Sequence, residues 1–170
     1  MNELMGRLGT ARLMRLLLNV YPPYLGAGVR VEELSPDLRR ARVRMRLRWF
    51  NKNYVGTHFG GSLYSMTDPF LMLMVMHNLG PRYLVWDRAA RVEFLRPGRG
   101  TVRASFELTE AQLSELRART AEGRRYEPTY DVEVRDEAGE LVARVEKTLY
   151  VRLKPGVRSA EGALARERQR

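Results

Sequence analysis

The segment 59–79 carries apolar side chains around its whole circumference, among them Leu63, Met66, Phe70, Leu71, Met72, Leu73, Met74, Val75 and Met76. At helical spacing it has little polar face to offer water, which predicts a helix buried on most sides. The rest of the chain must supply the cover. Residues 40–49 alternate strictly: Ala41, Val43, Met45, Leu47 and Trp49 on one face, Arg40, Arg42, Arg44, Arg46 and Arg48 on the other. That period of two predicts a strand with one buried and one solvated face. Residues 29–34 read as its hairpin partner across the turn at Ser35, Pro36 and Asp37. Further strand patterns occupy 83–96, 101–109, 126–135 and 141–154, separated by turn signals at Pro97-Gly98 and at 136–139. A short helix is predicted at 110–122, where Thr109 and Gln112 stand at capping-box spacing and Gly123 ends it.

No strand–helix–strand unit repeats in this order, so a parallel α/β sheet is not expected. The expectation is an α+β fold, an antiparallel β-sheet wrapped around a long central α-helix. An extra N-terminal helix is predicted over 2–20, where Leu4, Met5, Leu8, Ala11, Met14, Leu16, Leu17 and Leu18 recur with Arg7, Arg12 and Arg15 between them. Pro22, Pro23 and Gly26 end it. Such a basic amphipathic helix suits either a membrane surface or the domain's own surface, and packing on the domain is the expected use. The chain divides into an N-terminal helix and linker (1–28), one domain (29–154) and a charged, alanine-rich C-terminal tail (155–170).

A chain of 170 residues with 44% hydrophobic content supports one domain with a real core. No apolar run reaches the roughly 18 residues of a transmembrane helix. The sequence has no cysteine, which removes disulfides, thiolate metal sites and a cysteine nucleophile, and makes a reducing cytoplasm the default setting. The two histidines, His58 and His77, make a poor metal set, so no metal is expected. No phosphate-cradling Walker loop or dinucleotide fingerprint is present.

The formal charge of +10 admits nucleic acid, an anionic surface or a phosphate-bearing small molecule as partner. The arginine face of 40–48 reads as a solvated sheet face, with Glu93, Glu107, Asp131, Glu133 and Glu146 as possible cross-strand partners. Nucleic-acid binding is disfavoured, because Trp49 falls on the apolar face and does not interleave with the basic residues. Arg96, Arg99 and Arg103 around Pro97-Gly98 form either a phosphate-binding turn or an ordinary hairpin turn with solvated arginines.

The stretch 53–68 concentrates the chemistry. Gly60 and Gly61 at a helix start offer free amides at the positive end of the helix dipole, a device suited to a carbonyl oxygen. His58 beside them can polarise a carbonyl or simply be a hydrogen-bonded loop histidine. Asp68, alone in an apolar segment, suits a general base or nucleophile, and Asp68-Pro69 reads equally as an N-cap followed by proline. On a continuous helix Gly61 and Asp68 stand about 10 Å apart along the axis, at about 1.5 Å per residue. One carbonyl cannot touch both, so a working site would pair Gly61 of one subunit with Asp68 of another. The methionines at 66, 72, 74 and 76 read first as core; their flexible thioethers also suit an acyl channel, with Met72 the candidate lining residue.

Taken together, Asn53, Gly56, Gly60-Gly61 and Asp68, followed by Val92, Phe94, Pro97 and Gly100, resemble the hotdog-fold thioesterase superfamily, in particular its phenylacetyl-CoA thioesterase branch. The resemblance covers roughly residues 29–154. It is closer still to a hotdog subfamily of unknown function that shares the Gly-Thr-His-Phe-Gly-Gly-Ser-Leu-Tyr stretch, the Asp-Pro step, and later Val-Trp-Asp and Phe-Leu-Arg-Pro-Gly-Arg. It implies the hotdog fold and an acyl-CoA hydrolase. Asp68, Gly61 and Asn53 would be catalytic; His58, Phe59, Gly60, Met72, Arg96, Arg99 and Arg103 would bind substrate. It further implies coenzyme A as part of the substrate with no other cofactor, and assembly as a dimer or tetramer. Phe59 stands where the enzyme branch has histidine, and Pro69 directly follows Asp68; both departures leave noncatalytic acyl-CoA or lipid binding as the alternative.

Overall fold

In the computed structural model, which describes residues 2–155, six strands form one sheet and helical segments pack apolar side chains against it. In chain order the elements are α1 (Asn2–Val20), α2 (Pro22–Ala27), β1 (Val29–Leu34), β2 (Arg40–Arg46), α3 (Gly60–Ser65), α4 (Phe70–Leu79), β3 (Tyr83–Phe94), β4 (Thr101–Glu107), α5 (Glu110–Thr120), β5 (Thr129–Arg135) and β6 (Leu141–Leu153). The strands form one antiparallel sheet in the order β1-β2-β4-β5-β6-β3. This is the hotdog fold. β1 and β3 are its two edges.

Alternation drives the sheet's contribution to the core. Ala41, Val43 and Met45 on β2 are buried, as are Val102, Ala104 and Phe106 on β4 and Val132 and Val134 on β5. Facing them are Leu63, Met66, Phe70, Leu71, Met74 and Val75 of the central helical segments. The Phe70 and Phe106 rings lie 4.8 Å apart between centroids. Each large side chain buried this way is worth about 1.5–3 kcal/mol. At the far end, Thr109 and Gln112 close the expected capping box on α5.

Three local expectations need correction. The central helix is not continuous: residues 66–69 form a turn that separates α3 from α4. Proline at 69 has no amide hydrogen to donate, so an unbroken ladder through this point would lose a bond. At the other proline pair, Pro22 and Pro23 end α1 and also start α2, where their missing amide hydrogens cost nothing. Finally, β2 stops at Arg46, and Trp49 is 86% exposed instead of lying on the inner face. The chain turns there because Asn51 accepts the Arg48 amide at 2.7 Å and donates to the carbonyls of Ala27 and Arg46.

The arginine face of β2 is solvated, as expected, but its carboxylate partners come from β1. Glu32 meets Arg42, Arg44 and Arg103 at 3.3–3.6 Å, and Glu33 meets Arg42 at 3.2 Å. α1 packs beside β1, with Ala11 buried and Asn19 bonded through its side chain to both backbone groups of Val31. No helix among the described residues is long and apolar enough to cross a membrane. The predicted C-terminal tail, beyond its first residue, lies outside the described residues.

Candidate active site

Asp68 sits in the turn between α3 and α4. Its side chain makes no cap: Pro69 takes the N-cap position of α4, without a side-chain cap hydrogen bond. The N-cap reading of Asp68 is thereby corrected. The carboxylate turns instead toward Lys147 of β6, whose Nζ lies 3.2 Å from Asp68 Oδ1. Below the turn, the buried Tyr24 of α2 donates its hydroxyl hydrogen to the Asp68 backbone carbonyl. Burial, and then the Asp68 carboxylate, hold that phenol well above the ordinary tyrosine range, so it stays a donor.

Lys147 is the least expected member of the site. It occupies an inward position of β6 in the alternation Val145, Lys147, Leu149, Val151, and its side chain is 1% exposed. A buried ammonium has three hydrogens to place. Lys147 directs Nζ at Asp68, at Asp87 Oδ1 (3.1 Å) and at the Tyr64 hydroxyl (3.3 Å), and stands 5.2 Å from the centre of the Tyr64 ring. The Asp87 contact is an ion pair by distance, and its geometry is too oblique for a hydrogen bond to Oδ1. Burial pulls the lysine's pKa down, but Asp68 and Asp87 together reverse that and leave it raised. Lys147 is therefore charged at neutral pH.

Asp87 completes the group. It lies on β3 opposite Leu149, next to a register irregularity between Asp87 and Ala89. The extra residue, Arg88, bends the strand, a common means of re-aiming a side chain. Burial and hydrogen bonding to Asp68 push the Asp87 carboxyl up to about 6, against the opposing pull of Lys147. Asp68 is the more open of the two carboxylates, with 43% of its side chain exposed against 25% for Asp87. One helix break, one inward lysine and one bulged strand thus bring an ammonium and two carboxylates to one point.

The glycine pair lies at the start of α3. Among the described residues no acceptor reaches the amides of Gly60 or Gly61. Aromatic rings crowd both glycines: a Cβ on Gly60 would come within 2.9 Å of the Phe94 ring, and one on Gly61 within 2.4 Å of the Phe59 ring. Phe59 and Phe94 are themselves more than half exposed. They form an apolar collar around two free amides.

The remaining predicted residues separate by role. Asn53 spends its side chain inside its own loop, donating to Thr57 Oγ1 and the His58 carbonyl and accepting the Thr57 amide. His58 is 2% exposed, its Nε2 lying 3.2 Å from the Gly100 carbonyl while its amide donates to Gly98. Burial holds its pKa below the usual histidine value. It pins the 51–59 loop to the 98–100 turn, and neither it nor Asn53 joins the Asp68 group. Arg96 pairs with Glu140 and Arg99 is exposed, whereas Arg103 is drawn to Glu32 on the outer sheet face. Met72 is half-buried on α4 against the core. Among the described residues no group of three or more potential ligands could hold a metal ion.

Sequence reasoning missed Lys147, Asp87, Tyr64 and Tyr24. A signal for the first was present: a lysine at an inward position of an otherwise apolar alternation. A separate cavity of about 180 Å³ opens where β4 and β5 diverge, with Leu71 and Phe106 among its lining and none of the Asp68 group.

A family model described as a domain of unknown function (DUF4442) matches residues 9–151. No curated protein matches the chain. Among solved structures, a Pseudomonas aeruginosa protein of unknown function, named a probable thioesterase, superposes with a TM-score of 0.75 at 23% identity, covering 84% of this chain and 95% of that one. A Haemophilus influenzae thioesterase superposes with a TM-score of 0.62 at 14% identity, covering 86% and 94%.

Proposed function

Because the chain belongs to the DUF4442 domain family and shares its fold with proteins named as thioesterases, we propose that it hydrolyses an acyl thioester with Asp68 as the base. The observation that carries the proposal is the half-exposed Asp68 carboxylate, set in a break of the central helical segment and fixed from behind by a buried lysine. A carboxylate placed only for stability would gain little from such an arrangement.

In this reading Asp68 takes a proton from water as the water oxygen attacks the thioester carbonyl carbon. The oxyanion that develops is held by the free amides of Gly60 and Gly61, which need no reorganisation to receive it. Collapse breaks the carbon–sulfur bond and releases the acid and a thiolate. A thiol of ordinary pKa about 8.5 is a good leaving group, so no strong general acid is required. Phe59 and Phe94 exclude water from the amides, and the acyl chain runs along α4 past Met72. The substrate is an acyl-CoA or related thioester, with coenzyme A entering only as part of it. Arg99 is the exposed arginine left to meet its phosphates, with Arg96 joining it on release from Glu140, and a cytoplasmic setting suits such a substrate. Asn53 and His58 act by shaping the loop that precedes the glycines.

The site is placed across two chains, because Gly60 and Gly61 open α3 whereas Asp68 lies in the turn beyond its other end, which sets the free amides and the carboxylate at opposite ends of the helix. β3 is a twelve-residue edge strand with an open row of backbone donors and acceptors, and pairing with a second copy would cover it. A dimer, or a tetramer made of two such dimers, is the form proposed to be active.

Thiol release measured over a panel of acyl-CoA chain lengths tests the proposal. Turnover at some chain length is expected. Saturable binding at every length with no thiol released would establish instead a noncatalytic acyl-CoA or lipid-binding protein.

A further inference from the structure

Resting on the hydrolase reading, we propose that Lys147 is the positioning residue for Asp68, and that Asp87 serves to share the lysine's charge so that Asp68 remains a usable base. An ammonium 3.2 Å from a carboxylate orients it, but it also favours the ionised form and so weakens the base. A one-to-one pair would hold Asp68 in place at the expense of its reactivity. The second carboxylate on the same Nζ, at 3.1 Å, resolves the conflict. With both carboxylates ionised the group carries two negative charges and one positive, and a net negative charge stays beside the reacting water.

The surroundings support a functional origin. Lys147 lies between Val145 and Leu149 on its face of β6, where an apolar side chain would complete the core without desolvating any charge. Asp87 reaches the lysine beside a strand irregularity that ordinary pairing does not need. The other titratable groups facing the cluster are Tyr64, on the lysine, and Tyr24, on the Asp68 carbonyl; Tyr130 is opposite Lys147 in the β5–β6 register. Burial holds the Tyr24 and Tyr130 phenols above the ordinary tyrosine range, so neither adds a charge near neutral pH.

The test uses the full chain with ¹³C-labelled aspartate, following the Asp87 carboxyl by NMR from pH 4 to 8 in the wild type, Asp68→Asn and Lys147→Met. The midpoint, near 6 in the wild type, is expected to fall in Asp68→Asn and to rise in Lys147→Met. A midpoint unmoved in both variants overturns the shared ammonium. In steady-state kinetics Lys147→Met should lose about 10- to 100-fold in kcat with KM within about twofold. Asp87→Asn leaves the whole lysine charge on Asp68, so the acidic limb of its pH profile should move to lower pH and the plateau should fall. Wild-type kcat in Lys147→Met, or an Asp87→Asn profile superimposable on the wild type, overturns the positioning role. Should Lys147→Met not fold, Lys147→Gln and Asp87→Asn carry the same readings. Midpoint shifts as expected, without thiol release from the wild type, would leave the shared ammonium standing and overturn the hydrolase reading alone.

Discussion

Two charge clusters on this molecule are built from similar ions at similar distances. On the outer face of the sheet, Glu32 gathers Arg42, Arg44 and Arg103 at 3.3–3.6 Å; at the inner face, Lys147 gathers Asp68 and Asp87 at 3.1–3.2 Å. The arginines of the first are 41–52% exposed, whereas the lysine of the second is 1% exposed. Water screens the outer pairs and supplies most of what they give each other, so each contributes about 0–1 kcal/mol. The inner lysine has lost its hydration and depends wholly on three partners. A cluster that costs several kcal/mol per ion to desolvate is poor value as a structural device. Its position beside the one break in the central helical segment explains why it is there.

Removing the inner lysine should break this contrast most severely. Lys147→Met leaves two carboxylates facing each other without a counter-ion, and a loss of about 3 kcal/mol in urea unfolding is expected, at the low end for a broken buried pair because Asp68 is half open to water. A loss below about 0.5 kcal/mol would put the inner cluster in the same energetic class as the outer one.

The next effect is on pH. Asp87 titrates near 6 in the folded chain against an ordinary 3.8. A raised carboxyl pKa means the folded state holds the proton more tightly. The contribution is therefore complete below about pH 4 and is lost as pH rises through about 6. Between those values the wild type should lose on the order of 2 kcal/mol relative to Asp87→Asn, after allowance for partial exposure. Parallel stability curves for the two proteins would contradict it. The smallest effect belongs outside. Glu32→Gln should cost about 1 kcal/mol or less, and the difference should shrink when unfolding is repeated at about 1 M salt, where the screening length is about 3 Å.

Much of this architecture was legible in the residues themselves. The alternation over 40–46, the capping box at Thr109 and Gln112, and the all-round apolarity of Leu63 to Leu79 place strands and helices through local rules of period and capping. The break at 66–69 stayed open between a new helix start at Asp68-Pro69 and one continuous helix kinked there, because proline can kink a helix or end one and only the packing decides. Trp49 misled because alternation continues past the last ladder hydrogen bond of β2, where the Asn51 side chain turns the chain. Asp68 and the glycines were found because they cluster in sequence. Lys147 and Asp87 lie 79 and 19 positions from Asp68, and meet it only through β3–β6 pairing and the bulge beside Asp87. Register is a property of two strands together, and one sequence does not display it.

The most direct measurement is the rate of thiol release by Asp68→Asn beside the wild type, on the acyl-CoA that the wild type turns over best. The substitution keeps the side chain's shape and its contact with the lysine's neighbourhood, and removes the base. A positioned base is worth about 10²- to 10⁴-fold, so kcat should fall by at least about 100-fold in a protein that still folds, since Asp87 and the Tyr64 hydroxyl continue to hold the lysine. An Asp68→Asn protein that hydrolyses the substrate at the wild-type rate would contradict the assignment of Asp68 as the base, and with it the reason offered for burying Lys147.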